Sequence, residues 1–248
     1  MLQETRLIMG MPVCVAIADA AAGDADLEAA FDCFVQADAR FSPFRPDSEV
    51  SRLNRRELAL SDCSAWMREI LELAEQTRVD SDGYFDIRRP DGALDPCGIV
   101  KGWAIREAAR ALAQRGLRDF FIDAGGDVQA CGRSAKGGDW RVGVRNPFQA
   151  AEIVKILVPR GAGVATSGSY LRGAHIYNPH APDAALSDVV SLTVIGPDIL
   201  EADRFATAAF AMGEAGIAFI ERMDGLEGYQ IDARGMAQMT SGLGRYLS

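Results

Sequence analysis

Residues 119–132 read DFFIDAGGDVQACG, two strand-like runs separated by nothing but Gly125 and Gly126. A parallel crossover needs a dozen residues or more, so a two-residue link leaves the antiparallel hairpin as the available geometry. Its turn asks for positive φ at the central positions, which residues without a Cβ adopt at no steric cost. The run WRVGVRN, residues 140–146, adds to the pattern by setting Trp140, Val142 and Val144 against Arg141, Gly143 and Arg145. Further strands are predicted over 12–18, 152–158, 163–167, 190–196, 228–232 and 236–240. A hairpin-rich antiparallel sheet follows from these signals.

Helices interrupt the strands. Residues 24–40 place Leu27, Phe31, Phe34, Val35 and Asp38 at helical spacing. Ser64 reads as the N-cap of SAWMREILELAEQTR, with Trp66, Met67, Ile70, Leu71 and Ala74 on one face. A third helix is predicted from about Lys101 to Gln114, turning Ile105, Ala108, Ala109 and Leu112 inward and stopping at Gly116. Two more are predicted over 200–212 and 214–223, while FSPFRPDSEVSRLN, residues 41–54, reads as a polar loop. With no steady strand–helix–strand beat, the fold class is α+β, in one compact domain over residues 1–248 or two closely packed lobes, with mostly antiparallel sheets and flanking helices.

The composition narrows the function. A net charge of −9 with no dense basic run argues against nucleic acid as a partner, and an acidic chain that handles a polyphosphate needs a cation between the two. Five widely spaced cysteines, none in a CxxC pair, indicate neither a disulfide framework nor a zinc site. The N-terminal stretch MLQETRLIMGMPVCVAIADA is too short in its apolar part to span a membrane and lacks the layout of a signal peptide. As written, the chain reads as soluble and cytoplasmic, or periplasmic if a leader has been removed. Neither G-x-G-x-x-G nor a Walker A motif is present, and no G-x-S-x-G elbow accompanies Thr166, Ser167 and His175, so the commonest nucleotide cradles and a serine hydrolase are set aside.

Four segments carry candidate chemistry. In EADRFATAAFAMG, residues 201–213, Asp203 and Thr207 lie four apart and so share one helix face. The acid can simply complement the helix dipole and the hydroxyl bond back to a carbonyl. Alternatively, the two oxygens are hard ligands for a magnesium ion. In LDPCGIVKGWA, residues 94–104, Lys101 is read at a helix start, where a cation works against the dipole unless an anion is near. Gly98 has no Cβ, so its carbonyl can approach a ligand or metal closely. Asp123 and Asp127 flank the Gly-Gly turn, which a tight hairpin explains as readily as ligand contact. In VATSGSYLRGAHIYNP, residues 164–179, His175 suits proton transfer but serves equally as a structural residue.

Taken in order, RLIMGMPVCVAI, FSPFRPDSEVSRLN, GYFDIRRPDGALDPCGIVKGWAIREAA, FFIDAGGDVQACG, WRVGVRNP, VATSGSYLRGAHIYNP and SLTVIGPDILEADRFATAAFAMG resemble the ApbE family, the FAD:protein FMN transferases, over nearly the whole chain. The resemblance implies an ApbE-like fold with an FAD cleft between its lobes. It also implies a magnesium-dependent enzyme that cleaves FAD, attaches FMN through a phosphoester to a Ser or Thr hydroxyl of an acceptor flavoprotein, and releases AMP. By the same matching, the metal ligands fall on Asp203, Thr207 and the carbonyl of Gly98. FAD contacts fall on Met9, Phe44, Tyr84, Phe85, Asp86, Asp95, Lys101 and Ile176. Lys101 and His175 are the implied catalytic residues, His175 removing the proton of the acceptor hydroxyl. An FAD pyrophosphatase and a non-catalytic FAD-binding protein are the alternatives. The chain departs from the family pattern at Met11, where Thr is usual, at Cys97, and at HIYNPHAP, where Asn178 replaces an acid.

Overall fold

The computed structural model describes residues 1–168 and 176–248. In chain order its elements are β1 (Leu2–Ile8), β2 (Met11–Ile17), α1 (Asp24–Phe41), α2 (Glu49–Asn54), α3 (Ala65–Asp80), α4 (Cys97–Gln114), β3 (Phe120–Ala124), β4 (Asp127–Cys131), β5 (Val142–Asn146), β6 (Gln149–Leu157), β7 (Gly163–Gly168), β8 (Val189–Gly196), α5 (Ile199–Ala211), α6 (Gly216–Arg222), β9 (Glu227–Asp232) and β10 (Ala237–Met239). Among the described residues, eight strands form one sheet in the order β1-β2-β3-β4-β7-β8-β9-β10, and β5 pairs with β6 in a separate ribbon. Every pairing is antiparallel. The Gly125–Gly126 link is the expected two-residue hairpin: both residues have positive φ, 63° and 99°, and Ala124 pairs with Asp127 across it. Asp123 fixes the turn by accepting from the Gly126 N–H at 2.8 Å.

Period-two alternation gives the large sheet two buried faces. Val13, Val15 and Ile17 of β2, Phe120 and Ile122 of β3, and Leu192 and Val194 of β8 join a core with the inward faces of all six helices. On the opposite face, Val128 and Ala130 of β4, Ile195 of β8, and Tyr229 and Ile231 of β9 are covered by Val142, Val144 and Leu157 of the β5–β6 ribbon. The ribbon therefore acts as a lid on the sheet face that the helices leave bare. Among the described residues no helix is long and apolar enough to cross a membrane.

Strand β1 is absent from the predicted set, β6 begins three residues before its predicted start, and two further boundaries differ for reasons the contacts explain. Residues 49–54 are helical rather than part of a polar loop, because the buried Ser48 caps α2, accepting from the Ser51 N–H at 3.1 Å while its own hydroxyl donates to the Ser42 carbonyl at 2.7 Å. A six-residue helix is too short to show a hydrophobic period, so only its cap announces it. The start of α4 lies at Cys97, four residues before the predicted one, with Asp95 Oδ1 accepting from the Cys97 N–H at 3.1 Å. Gly98 is thus in the first helical turn and Lys101 one turn further in, so Lys101 is not a cation set against a helix N-terminus.

Candidate functional site

At one end of the large sheet, the Gly125 turn, the end of β7, the N-terminal turns of α4 and the middle of α5 face the segments 84–89 and 176–179 across a cavity of ≈ 370 Å³. One wall is apolar and aromatic, from Phe44, Tyr84, Phe85 and Ile176. These side chains are held in different ways. Phe85 is buried and lies against the first turn of α4, where a Cβ on Gly98 would stand 3.1 Å from its ring. Tyr84 meets the His180 ring edge-on at a centroid distance of 4.6 Å, and His180 Nε2 lies 2.9 Å from the Asp82 carbonyl. Phe44 is 86% exposed at the mouth, with an open face available to an aromatic ligand. Because Phe44 is so exposed, Phe44→Ala is expected to weaken the binding of an aromatic ligand in this cavity by about tenfold with no change in thermal midpoint, measured by fluorescence titration and thermal unfolding.

Beside Phe85 the lining turns polar. Asp203 and Thr207 sit one turn apart on α5, and Thr207 Oγ1 lies 3.5 Å from the Gly98 carbonyl oxygen. Asp203 is buried; its Oδ2 accepts from the Gly102 N–H at 2.7 Å and its Oδ1 lies 3.4 Å from Lys101 Nζ. The same ammonium forms an ion pair with Asp127 Oδ2, while Asp127 Oδ1 accepts from the Thr166 N–H at 3.0 Å. Two carboxylates thus share one ammonium in a region nearly closed to water. Burial pushes the Asp203 carboxyl up to about 7; Lys101 opposes the rise and Asp127 adds to it.

The donor set fits a hard divalent cation. Asp203, the Thr207 hydroxyl and the Gly98 carbonyl are all oxygen ligands, the type magnesium prefers, and two ligands ~2.1 Å from one ion stand ~3–4 Å apart. A buried acid that resists ionisation is also one that an added cation favours most. Among the described residues no three His, Cys, Asp or Glu side chains gather, so the candidate centre is mixed rather than a carboxylate cage.

Close approach of α4 to α5 sets this geometry. At Gly102 a Cβ would fall 2.7 Å from Asp203 Cβ and 3.0 Å from the Ile199 carbonyl oxygen, contacts that neither helix backbone can relieve without moving. Gly102→Ala is therefore expected to cost about 1–3 kcal/mol in chemical denaturation, and to lower cation affinity by separating Asp203 from Gly98. Wild-type values for both quantities would contradict the assigned contact.

Of the residues singled out from the sequence, Phe44, Tyr84, Phe85, Asp86, Asp95, Gly98, Lys101, Ile176, Asp203 and Thr207 all line this cavity. Met9 does not. It occupies the β1–β2 turn with a φ of 54° and packs against the helix-side core, because the two-residue link Met9–Gly10 needs positive φ at both positions. His175 lies outside the described residues. Asp127, read first as a hairpin flank, belongs to the site, and the only sequence sign was an acid opening a strand, DVQAC, that is otherwise uncharged. Arg89, Tyr177 and Gly125 also line the cavity without having been singled out as ligand contacts by resemblance. Met11 is buried, so its thioether fills apolar space where the family pattern has a hydroxyl. Asn178 accepts from the His180 N–H at 2.9 Å, a local turn bond that a neutral amide makes as well as an acid.

The fold is that of solved flavin transferases. The flavin transferase ApbE of Vibrio cholerae superposes with a TM-score of 0.84 at 21% identity, covering 99% of each chain, and the ApbE protein of Thermotoga maritima with 0.87 at 19%, covering 100% of this chain and 99% of that one. At those identities the likeness establishes the fold. In sequence, the ApbE family pattern matches residues 9–89 and 88–230. The chain belongs to the ApbE family. The Salmonella typhimurium FAD:protein FMN transferase is 30% identical over 168 residues, which are 63% of this chain and 48% of that protein. The Escherichia coli protein of the same name is 30% identical over 161 residues, 61% of this chain and 46% of its own. The chain spans about half the length of the curated relatives it matches.

Proposed function

We propose that this protein transfers FMN from FAD to a Ser or Thr hydroxyl of an acceptor protein in a magnesium-dependent reaction that releases AMP. The observation that carries the reading is the convergence, at one end of a single cavity, of the Gly98 carbonyl, Thr207, Asp203 and Lys101 beneath a wall of Phe44, Tyr84 and Phe85. The aromatic wall suits planar rings and the polar end suits phosphates.

The step forms a bond from the acceptor oxygen to the flavin-side phosphorus and breaks the bond from that phosphorus to the bridging oxygen, which leaves on AMP. Asp203, Thr207 and the Gly98 carbonyl would hold a hard cation, which would supply Lewis-acid stabilisation of phosphate charge. Lys101 adds a fixed positive charge from the second turn of α4, needing no reorganisation because Asp127 already holds it. Tyr84 and Phe85 orient the ligand and exclude water from its phosphate end. His175 is the proposed acceptor of the hydroxyl proton, a task to which imidazole as a side-chain type is suited.

The test is incubation of the full chain with FAD and Mg²⁺, with and without a candidate acceptor protein. AMP together with a fluorescent acceptor band is the expected result. AMP with free FMN, even in the presence of acceptor, would make the protein a pyrophosphatase, and unchanged FAD would make it a binding protein.

A further inference from the structure

The arrangement around Lys101 has a feature that binding a phosphate does not require. Its ammonium is held closely by Asp127, with Asp203 Oδ1 standing off at 3.4 Å. Asp127 is itself fixed, nearly fully buried at the start of β4 with its second oxygen anchored to the Thr166 N–H of β7 at 3.0 Å. Asp203 is equally immobile through the Gly102 N–H. The lysine stem is flexible, and each carboxylate competes for the same charge in surroundings where an ion pair is strong.

We propose that Asp127 is a positioning residue that draws the Lys101 ammonium away from Asp203 and so keeps Asp203 Oδ1 open to the cation. Without that pull, the ammonium closes onto Asp203 and occupies the place of the metal. The inference rests on the flavin-transfer reading in one respect, that the Asp203 end of the cavity is the cation site. It assigns to the acid after the two glycines a task distinct from hairpin formation, which Asp123 already serves through Gly126.

Asp127→Asn separates the two tasks. The amide oxygen still accepts from the Thr166 N–H, whereas the amide nitrogen faces the ammonium as a second donor and turns it toward Asp203. The probe is Mn²⁺, a hard divalent ion whose free form is followed by electron paramagnetic resonance, titrated into the full chain with FAD present. Asp127→Asn is expected to raise the Mn²⁺ dissociation constant about tenfold, while the same change in a Lys101→Met background raises it less than about twofold, because the effect travels through the ammonium. An equal loss in both backgrounds would show that Asp127 acts through its own charge, and no loss in either would show that it does not act; both overturn the proposal. A wild-type chain that binds no Mn²⁺ would sink the flavin-transfer reading itself, and this inference with it. Should the Lys101→Met chain not fold, a crystal structure of Asp127→Asn decides. The ammonium within hydrogen-bond distance of Asp203 supports the proposal, and the ammonium left beside residue 127 overturns it.

Discussion

On the proposed flavin-transfer reading, Asp203→Asn is expected to leave a folded protein whose magnesium-dependent turnover falls on the order of a thousandfold. The expectation comes from what the carboxylate does in each state. The amide oxygen of Asn still accepts from the Gly102 N–H, so the contact that ties α5 to α4 survives. The charge is lost, and with it the one anionic ligand among Asp203, Thr207 and the Gly98 carbonyl. Because burial pushes the Asp203 carboxyl up, ionising it is a cost to the metal-free fold, and the neutral amide is expected to leave the thermal midpoint near its wild-type value. Steady-state AMP release and thermal unfolding check the two halves. Retained turnover would contradict the metal assignment, and a collapsed midpoint would make Asp203 chiefly structural.

Trp103→Ala is expected to lower unfolding free energy by about 3–5 kcal/mol, the range for removing a fully buried large aromatic. Trp103 is 0% exposed and sits on α4 one residue from Gly102 and two from Lys101. Its ring meets Phe41 of α1 at 5.3 Å and Trp66 of α3 at 5.1 Å, both edge-on, so one side chain joins three helices. Its indole N–H finds no hydrogen-bond partner among the described residues. Trp103→Phe therefore sheds an unsatisfied polar group along with some volume, and about 1–2 kcal/mol is expected for it. Urea denaturation of both variants gives the comparison; equal losses, despite the much larger cavity left by Ala, would mean that filling this volume is not what Trp103 contributes.

Much of the fold was legible because its signals are local. A two-residue Gly-Gly link forces a hairpin whatever surrounds it, and Ser64 caps α3 as its position before an apolar helical face predicts, accepting from the Met67 N–H at 3.2 Å. The α5 pair Asp203 and Thr207 was legible for the same reason, since a four-residue spacing on a helix fixes a shared face. What stayed hidden depends on distant partners. The start of α4 was obscured by Gly98, which looks like a turn residue until Phe85 and Thr207 are seen packed where its Cβ would be. Asp127 looked like part of a turn because its partners, Lys101 and Thr166, are 26 and 39 positions away, and only the sheet order β3-β4-β7 and the packing of α4 bring them together. Met9 is a different case: the resemblance implies a flavin contact, and the residue sits half-buried in the tight β1–β2 turn beside the helix-side core, outside the residues that line the cavity.

The most direct test of the account is a crystal of the full chain grown with FAD and Mn²⁺ and measured at the manganese edge. The account predicts one anomalous peak bonded to Asp203, Thr207 and the Gly98 carbonyl oxygen, with the pyrophosphate on it and the flavin against the Phe44 and Tyr84 wall. A peak elsewhere, or a dinucleotide bound outside this cavity, would contradict it.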